Sequence, residues 1–193
     1  MLESVRKEKK KKTVRVKRPT LETIINTLSS HIDEAREGAR YTLVAMGKTA
    51  VPSLIEALKN RNTLMRWEAA KALGEIADPE TGPVLVEALE DEEFDVRWLA
   101  AEGLVRMNIK GLKPLLEALE LRGDSVLLRE GAHHVFHDLA KGRLRKFLVP
   151  VLASLEALEP GEEVPWTAHH QWAVEVPLAA RQALERLERL SKP

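Results

Sequence analysis

The sequence predicts an all-α fold, an α-solenoid of about five stacked helix pairs. Three observations carry that expectation. The stretch Arg66-Trp67-Glu68-Ala69-Ala70-Lys71-Ala72-Leu73-Gly74 returns 31 residues later as Arg97-Trp98-Leu99-Ala100-Ala101-Glu102-Gly103-Leu104. A second matching stretch stands ahead of each copy, Pro52-Ser53-Leu54-Ile55-Glu56-Ala57-Leu58 and then Pro83-Val84-Leu85-Val86-Glu87-Ala88-Leu89. Self-similarity at such a period marks stacked repeats, each too small to bury its apolar face alone. Composition agrees: Ala and Leu dominate and aromatics are only 4% of the chain, which favours helix over strand.

Taken in order, residues 1–18 have no helical periodicity and are expected to form a disordered basic arm. Nine Lys or Arg stand against two Glu in residues 1–20, a surplus of seven positive charges. The formal net charge is zero, so the remainder carries seven more acidic than basic residues: a basic arm on an acidic body. The repeat domain spans 19–193, in units at about 20–47, 48–78, 79–108, 109–141 and 142–191. Thr20 is the expected N-cap of a first helix at about 20–31, whose apolar stripe is Leu21, Ile24, Ile25 and Leu28. A second helix follows at about 33–46.

Three clear pairs come next. Their first helices are expected to begin near Pro52, Pro83 and Pro114, because proline is tolerated in a first turn where the N–H has no intrahelical partner. Their second helices centre on Arg66, Arg97 and Arg129, and Arg36-Glu37-Gly38-Ala39 matches Arg129-Glu130-Gly131-Ala132 letter for letter. The arginines thus step by 30, 31 and 32 residues. Leu73 and Leu104 hold equivalent positions and are expected in the core. In the irregular last unit, Leu148 to Leu152 opens a helix to about 158, Glu159-Pro160-Gly161 breaks it, and Pro177 starts or kinks a last helix ending near Leu190.

These residues resemble HEAT-like repeats, in the short bacterial form of phycobilin-lyase-type proteins. The likeness rests on Val96 to Leu104, on Arg66 to Ile76 and on Ala50-Val51-Pro52-Ser53-Leu54. It implies a right-handed α-solenoid whose second helices line the concave face. It also implies that the repeated arginine ties the turn between paired helices through a nearby Asp. Asp91 or Asp95 would serve Arg97, and Asp124 would serve Arg129, while Arg66 has only Asn60 and Asn62 nearby.

One step beyond each arginine lies a face that reads Glu37, Tyr41, Val44; Trp67, Lys71, Gly74; Trp98, Glu102, Val105; and Glu130, His134, His137. By the resemblance this face lines the groove. Trp67, Trp98, Tyr41, Lys71, Glu102 and Glu37 are therefore the expected partner-binding residues, because aromatics in a concave surface favour binding. The leading reading is a non-catalytic interaction module or scaffold that takes a protein or peptide partner, basic in character. The alternative is an enzyme-associated protein, bilin-lyase-like or metal-dependent, centred on Glu130, His134 and His137 at i, i+4, i+7 with Glu102 as a further ligand.

Other classes are set aside. Di-iron hydroxylases built from HEAT-like repeats place a His-Glu pair after the arginine, and no such dipeptide occurs here. The acidic body opposes a nucleic-acid backbone, so nucleic acid or another acidic partner is expected only at the arm. No phosphate loop or nucleophile elbow is present, so no cofactor and no catalytic residue is assigned. No apolar run is long enough to span a membrane, and the chain has no cysteine; a cytoplasmic location is expected.

The composition of the arm leads us to expect no core contacts from it. Deleting residues 1–18 should leave the far-UV circular dichroism and the melting temperature almost unchanged. A fall of more than a few degrees would mean that the arm docks on the body.

Overall fold

The computed structural model describes residues 18–156 and 166–190, without the side chains of Arg143, Leu190 and residues 166–173. The arm before Arg18 and the break at Glu159-Pro160-Gly161 lie outside them. Ten α-helices follow one another, with no strand among the described residues. They are α1 (Leu21–Thr27), α2 (Asp33–Met46), α3 (Val51–Leu58), α4 (Thr63–Ile76), α5 (Gly82–Ala88), α6 (Phe94–Met107), α7 (Ile109–Arg122), α8 (Val126–Leu139), α9 (Arg145–Glu156) and α10 (Trp166–Leu190). Short 3₁₀ turns precede α3, α5 and α9. The all-α solenoid is what the repeat implies.

Local chemistry sets most helix starts. Thr20 caps α1 by accepting from the Thr23 N–H at 3.2 Å, and Asn62 and Ser125 cap α4 and α8 the same way. Pro52 and Pro83 sit in first turns, as their missing N–H allows. Pro114 does not. α7 begins five residues earlier, at Ile109, and carries Pro114 inside it. Asn108, at φ 54°, ends α6, and α7 follows at once, so no loop is left for the proline to occupy. The ring of Pro114 instead packs on Gly82, where a Cβ would come within 2.9 Å of its Cγ. Pro177 likewise starts no helix: α10 runs through it.

The second helices α2, α4, α6 and α8 form one row, each packed on the next. At every step they share more contact than the first helices do; α3 and α5 hardly touch. The α4–α6 crossing is the closest. A Cβ on Gly74 would lie 2.9 Å from the Gly103 Cα, so two bare backbones meet there. Gly74 is therefore part of the crossing and not of an open face. The last unit trades rows. α9 packs on α8 and extends the second row, while α10 packs on α7 and α9 and closes the first.

The core runs the length of the stack. Leu73 and Leu104 are fully buried, as are Ala69 and Ala100 one turn earlier. Leu104→Ala should cost about 2–5 kcal/mol of unfolding free energy in a denaturant titration. A loss below about 1 kcal/mol would place Leu104 outside the core.

Candidate functional site

Each repeat arginine is the fourth residue of its second helix. Its Nη1 reaches back over the turn to main-chain carbonyls. Arg36 donates to Ser30 O at 2.7 Å. Arg66 donates to Asn60 O and Arg61 O at 3.0 and 3.2 Å. Arg97 donates to Asp91 O and Glu92 O at 2.8 and 3.1 Å, and Arg129 to Gly123 O and Asp124 O at 3.1 and 2.9 Å. The arginine thus satisfies the orphan carbonyls at the end of each turn. Asp91 therefore holds Arg97 through its carbonyl, and Asp124 holds Arg129 in the same way.

The carboxylates do something else: they join units. Asp91 grips Arg66 of the preceding unit at both oxygens, at 2.9 and 3.1 Å, and Glu92 adds a contact at 2.8 Å. The hydrogen bonds that Arg66 donates to Asp91 hold the Arg66 pKa above the ordinary guanidinium value, against its burial. Between α2 and α4, Glu68 accepts from Arg40 at 3.0 Å and from Arg36 at 3.3 Å, and Arg40 also donates to Glu75 at 2.9 Å. Arg40 and Glu68 are both buried. Burial works against the charge on Arg40, but Glu75 and Glu68 outweigh it and raise its pKa. Arg129 shows the opposite balance: its burial pulls the pKa down despite nearby Asp124 and Glu130.

The fifth residue of α2, Glu37, still pairs with Arg40 of this network at 3.5 Å, whereas that of α6 is Trp98. Trp98 is 46% exposed and belongs to an aromatic row. Its ring lies 4.4 Å from that of His134 on α8 and 6.3 Å from Phe94, which is 62% exposed. Beside this row, α6 and α8 enclose a pocket of about 140 Å³ lined by Leu89, Phe94, Arg97, Trp98, Ala101, Leu127, Glu130, Gly131 and His134. Trp67 is only half-buried and packs against the core, with the Lys71 ammonium 4.7 Å above its ring. Tyr41 is exposed, donates to Glu37 at 3.0 Å and lies under the Arg40 guanidinium. Phe94 carries no repeat signature and was not among the expected site residues; its place at the start of α6, one turn before Trp98, is the signal that finds it.

The proposed Glu130, His134 and His137 set does not converge. Residues seven apart are separated by about 10 Å along a helix axis, which their side chains do not bridge here. His134 instead places Nε2 3.0 Å from Glu102 Oε1 across the α6–α8 seam. Asp138 joins them, with ligand atoms of all three within 4.8 Å of one another. Glu130 lies at the pocket, and His137 stacks near His133 and approaches Asp138.

Against this geometry, residues 51–133 match the family model described as HEAT repeats. This stretch of the chain therefore carries HEAT-like repeats. A solved crystal structure of an engineered protein, a structural genomics consortium target, is similar at 20% identity over 88% of this chain and 79% of that one, with a TM-score of 0.43. No curated protein matches. HEAT repeats generally mediate protein interaction or scaffolding. No helix among the described residues is long and apolar enough to cross a membrane.

The buried network makes a stability test. Glu68→Ala should cost about 3–5 kcal/mol, because it leaves Arg40 charged and short of a partner in the interior. The double variant Arg40→Met, Glu68→Met should lose less than Glu68→Ala in the same denaturant titration. A loss in the double variant as large as in Glu68→Ala, or larger, would mean that leaving Arg40 unpaired carries no penalty of its own.

Proposed function

We propose that the chain is a non-catalytic interaction module whose second-helix face binds a protein or peptide segment. One observation carries this reading. Phe94 and Trp98 stand exposed beside a pocket, on a helix pinned by a buried Gly–Gly crossing and by the Arg97 turn anchor. Aromatic anchors held rigidly at a concavity bind partners at low cost in conformational entropy. The closer packing of the second helices supports a stack curved with that row inside.

Charge indicates the partner. Glu37 and Glu130 are exposed on this face and Glu102 is partly so, while Lys71 is folded over Trp67. A segment bearing Lys or Arg together with apolar anchors suits such a surface, with the aromatic rings offering both contact area and cation–π attraction. Trp98 and Trp67 are the principal contacts in this reading, Tyr41 and Glu37 extend it on one side, and Glu102 stands beside Trp98. The basic arm is a separate element that suits an acidic partner.

A second reading, metal binding, is favoured by the approach of Glu102, His134 and Asp138. It is checked by titrating Zn²⁺ into protein and reading the tryptophan emission against a Trp98→Phe control, because His134 touches the Trp98 indole. The interaction reading is tested with labelled peptides of Lys and Leu against counterparts of Glu and Leu. The basic peptides should bind in preference, and Trp98→Ala and Trp67→Ala should each weaken them by more than about 1 kcal/mol while costing less stability than Leu104→Ala. Unchanged affinity in both variants would remove the site from this face.

A further inference from the structure

Arg66 and Arg97 are the same repeat position, yet only one is filled. Both spend Nη1 on the turn behind them. Arg66 then uses Nε and Nη2 to clamp Asp91 of the next unit. Among the described residues, no carboxylate takes the corresponding place on Arg97, whose guanidinium carbon lies 5.6 Å over the Phe94 ring and which lines the α6–α8 pocket. The missing group can be traced. Asp91 stands six residues before Arg97, and the residue six before Arg129 is Gly123. A Cβ at Gly123 would lie 2.7 Å from Leu119 O and 2.9 Å from the Pro177 ring, so the packing of α10 on α7 bars any side chain there. The cap that closes the solenoid thereby leaves Arg97 with a vacant fork, half-buried, at the mouth of an apolar pocket.

We infer that this pocket is a receptor for the C-terminal residue of a peptide, one with an apolar side chain. Arg97 takes its carboxylate through Nε and Nη2, in the two-pronged geometry that Arg66 shows with Asp91. Phe94, Trp98, Ala101 and Leu127 take its side chain. The two halves of the site select this ligand together. An internal Asp or Glu would satisfy Arg97 and leave the apolar pocket empty. An internal Leu would fill the pocket and leave the guanidinium donors unpaired, which is costly in a half-buried place. A terminal apolar residue does both at once. Glu130, exposed at the same pocket, is placed to receive an N–H or a basic side chain from the residue before it and to repel a second carboxylate.

This assignment rests on the second-helix face being a peptide site but turns on a different contact. The test uses an N-acetylated tetrapeptide, Lys-Ala-Lys-Leu, as the free acid and as the C-terminal amide, titrated by calorimetry. The acid should bind at least about tenfold more tightly than the amide, the difference expected for one charge-assisted two-pronged contact. The preference should vanish in Arg97→Gln and shrink in Arg97→Lys, which keeps the charge but lacks the fork. Circular dichroism and melting of each variant establish that it is folded, and the acid–amide comparison on the unaltered protein needs no variant. Equal affinity for acid and amide overturns the terminal-residue assignment and leaves the peptide face standing. Failure of both to bind counts against the face as well.

Discussion

The architecture hangs on one hydrogen-bonding pattern: an arginine at the fourth position of a second helix that donates to carbonyls five or six residues back. It recurs in four units, at Arg36, Arg66, Arg97 and Arg129. A helix end leaves carbonyls without intrahelical partners, and a charged donor there satisfies them while fixing the angle of the turn. Once Nη1 is committed, the rest of the guanidinium is aimed along the stack. Where the next unit supplies acid, as at Asp91 and Glu92 or at Glu68, the units lock together. Where it supplies none, as at Arg97, the same geometry presents donors to a pocket. Structural and functional arginines differ here only in what the following unit offers.

Helix approach is the second constraint. Gly74 and Gly103 let α4 and α6 meet backbone to backbone, so the second helices form the tighter row. The fifth residue of α6, Trp98, is exposed on this row, while its counterpart on α4, Trp67, stays half-buried. The stack is closed by α9 and α10 in exchanged rows, and Pro177 of α10 seals against Gly123. That closure removes the position from which a carboxylate would have reached Arg97. An end effect of a repeat array has a consequence one unit inward, as expected where each unit contacts only its neighbours.

Much of this was legible in the chain. The period of the Arg-Trp and Pro-Ser/Pro-Val stretches yields the helix pairs, and the Ala-Ala and Leu positions mark the buried face, because burial in a repeat follows position directly. The proline readings were less sound. Pro52 and Pro83 open helices, but Pro114 sits inside one; whether a proline starts a helix depends on whether a loop precedes it, and here Asn108 leaves none. The arginine partners were legible in kind but not in direction, since a guanidinium has several donors and the sequence does not say which unit each will face. The histidine stripe failed for a geometric reason: sharing a helical face aligns side chains by angle while leaving them far apart along the axis. Glu102, named only as an added ligand, is the residue that His134 meets. The vacancy at Arg97 lay hidden because it is set at Gly123 by the packing of Pro177, 80 residues beyond Arg97.

The central claim is that the exposed side of the second-helix row, around Arg97 and Trp98, is where the protein meets a partner. Mapping amide and side-chain N–H chemical shifts while an apolar basic peptide is added tests it most directly. The largest changes are predicted at the Trp98 indole N–H, the Arg97 Nε–H and the backbone of α6 and α8 that lines the pocket, with α3 and α5 little affected. Changes confined to the first helices, or spread evenly over the chain, would contradict it.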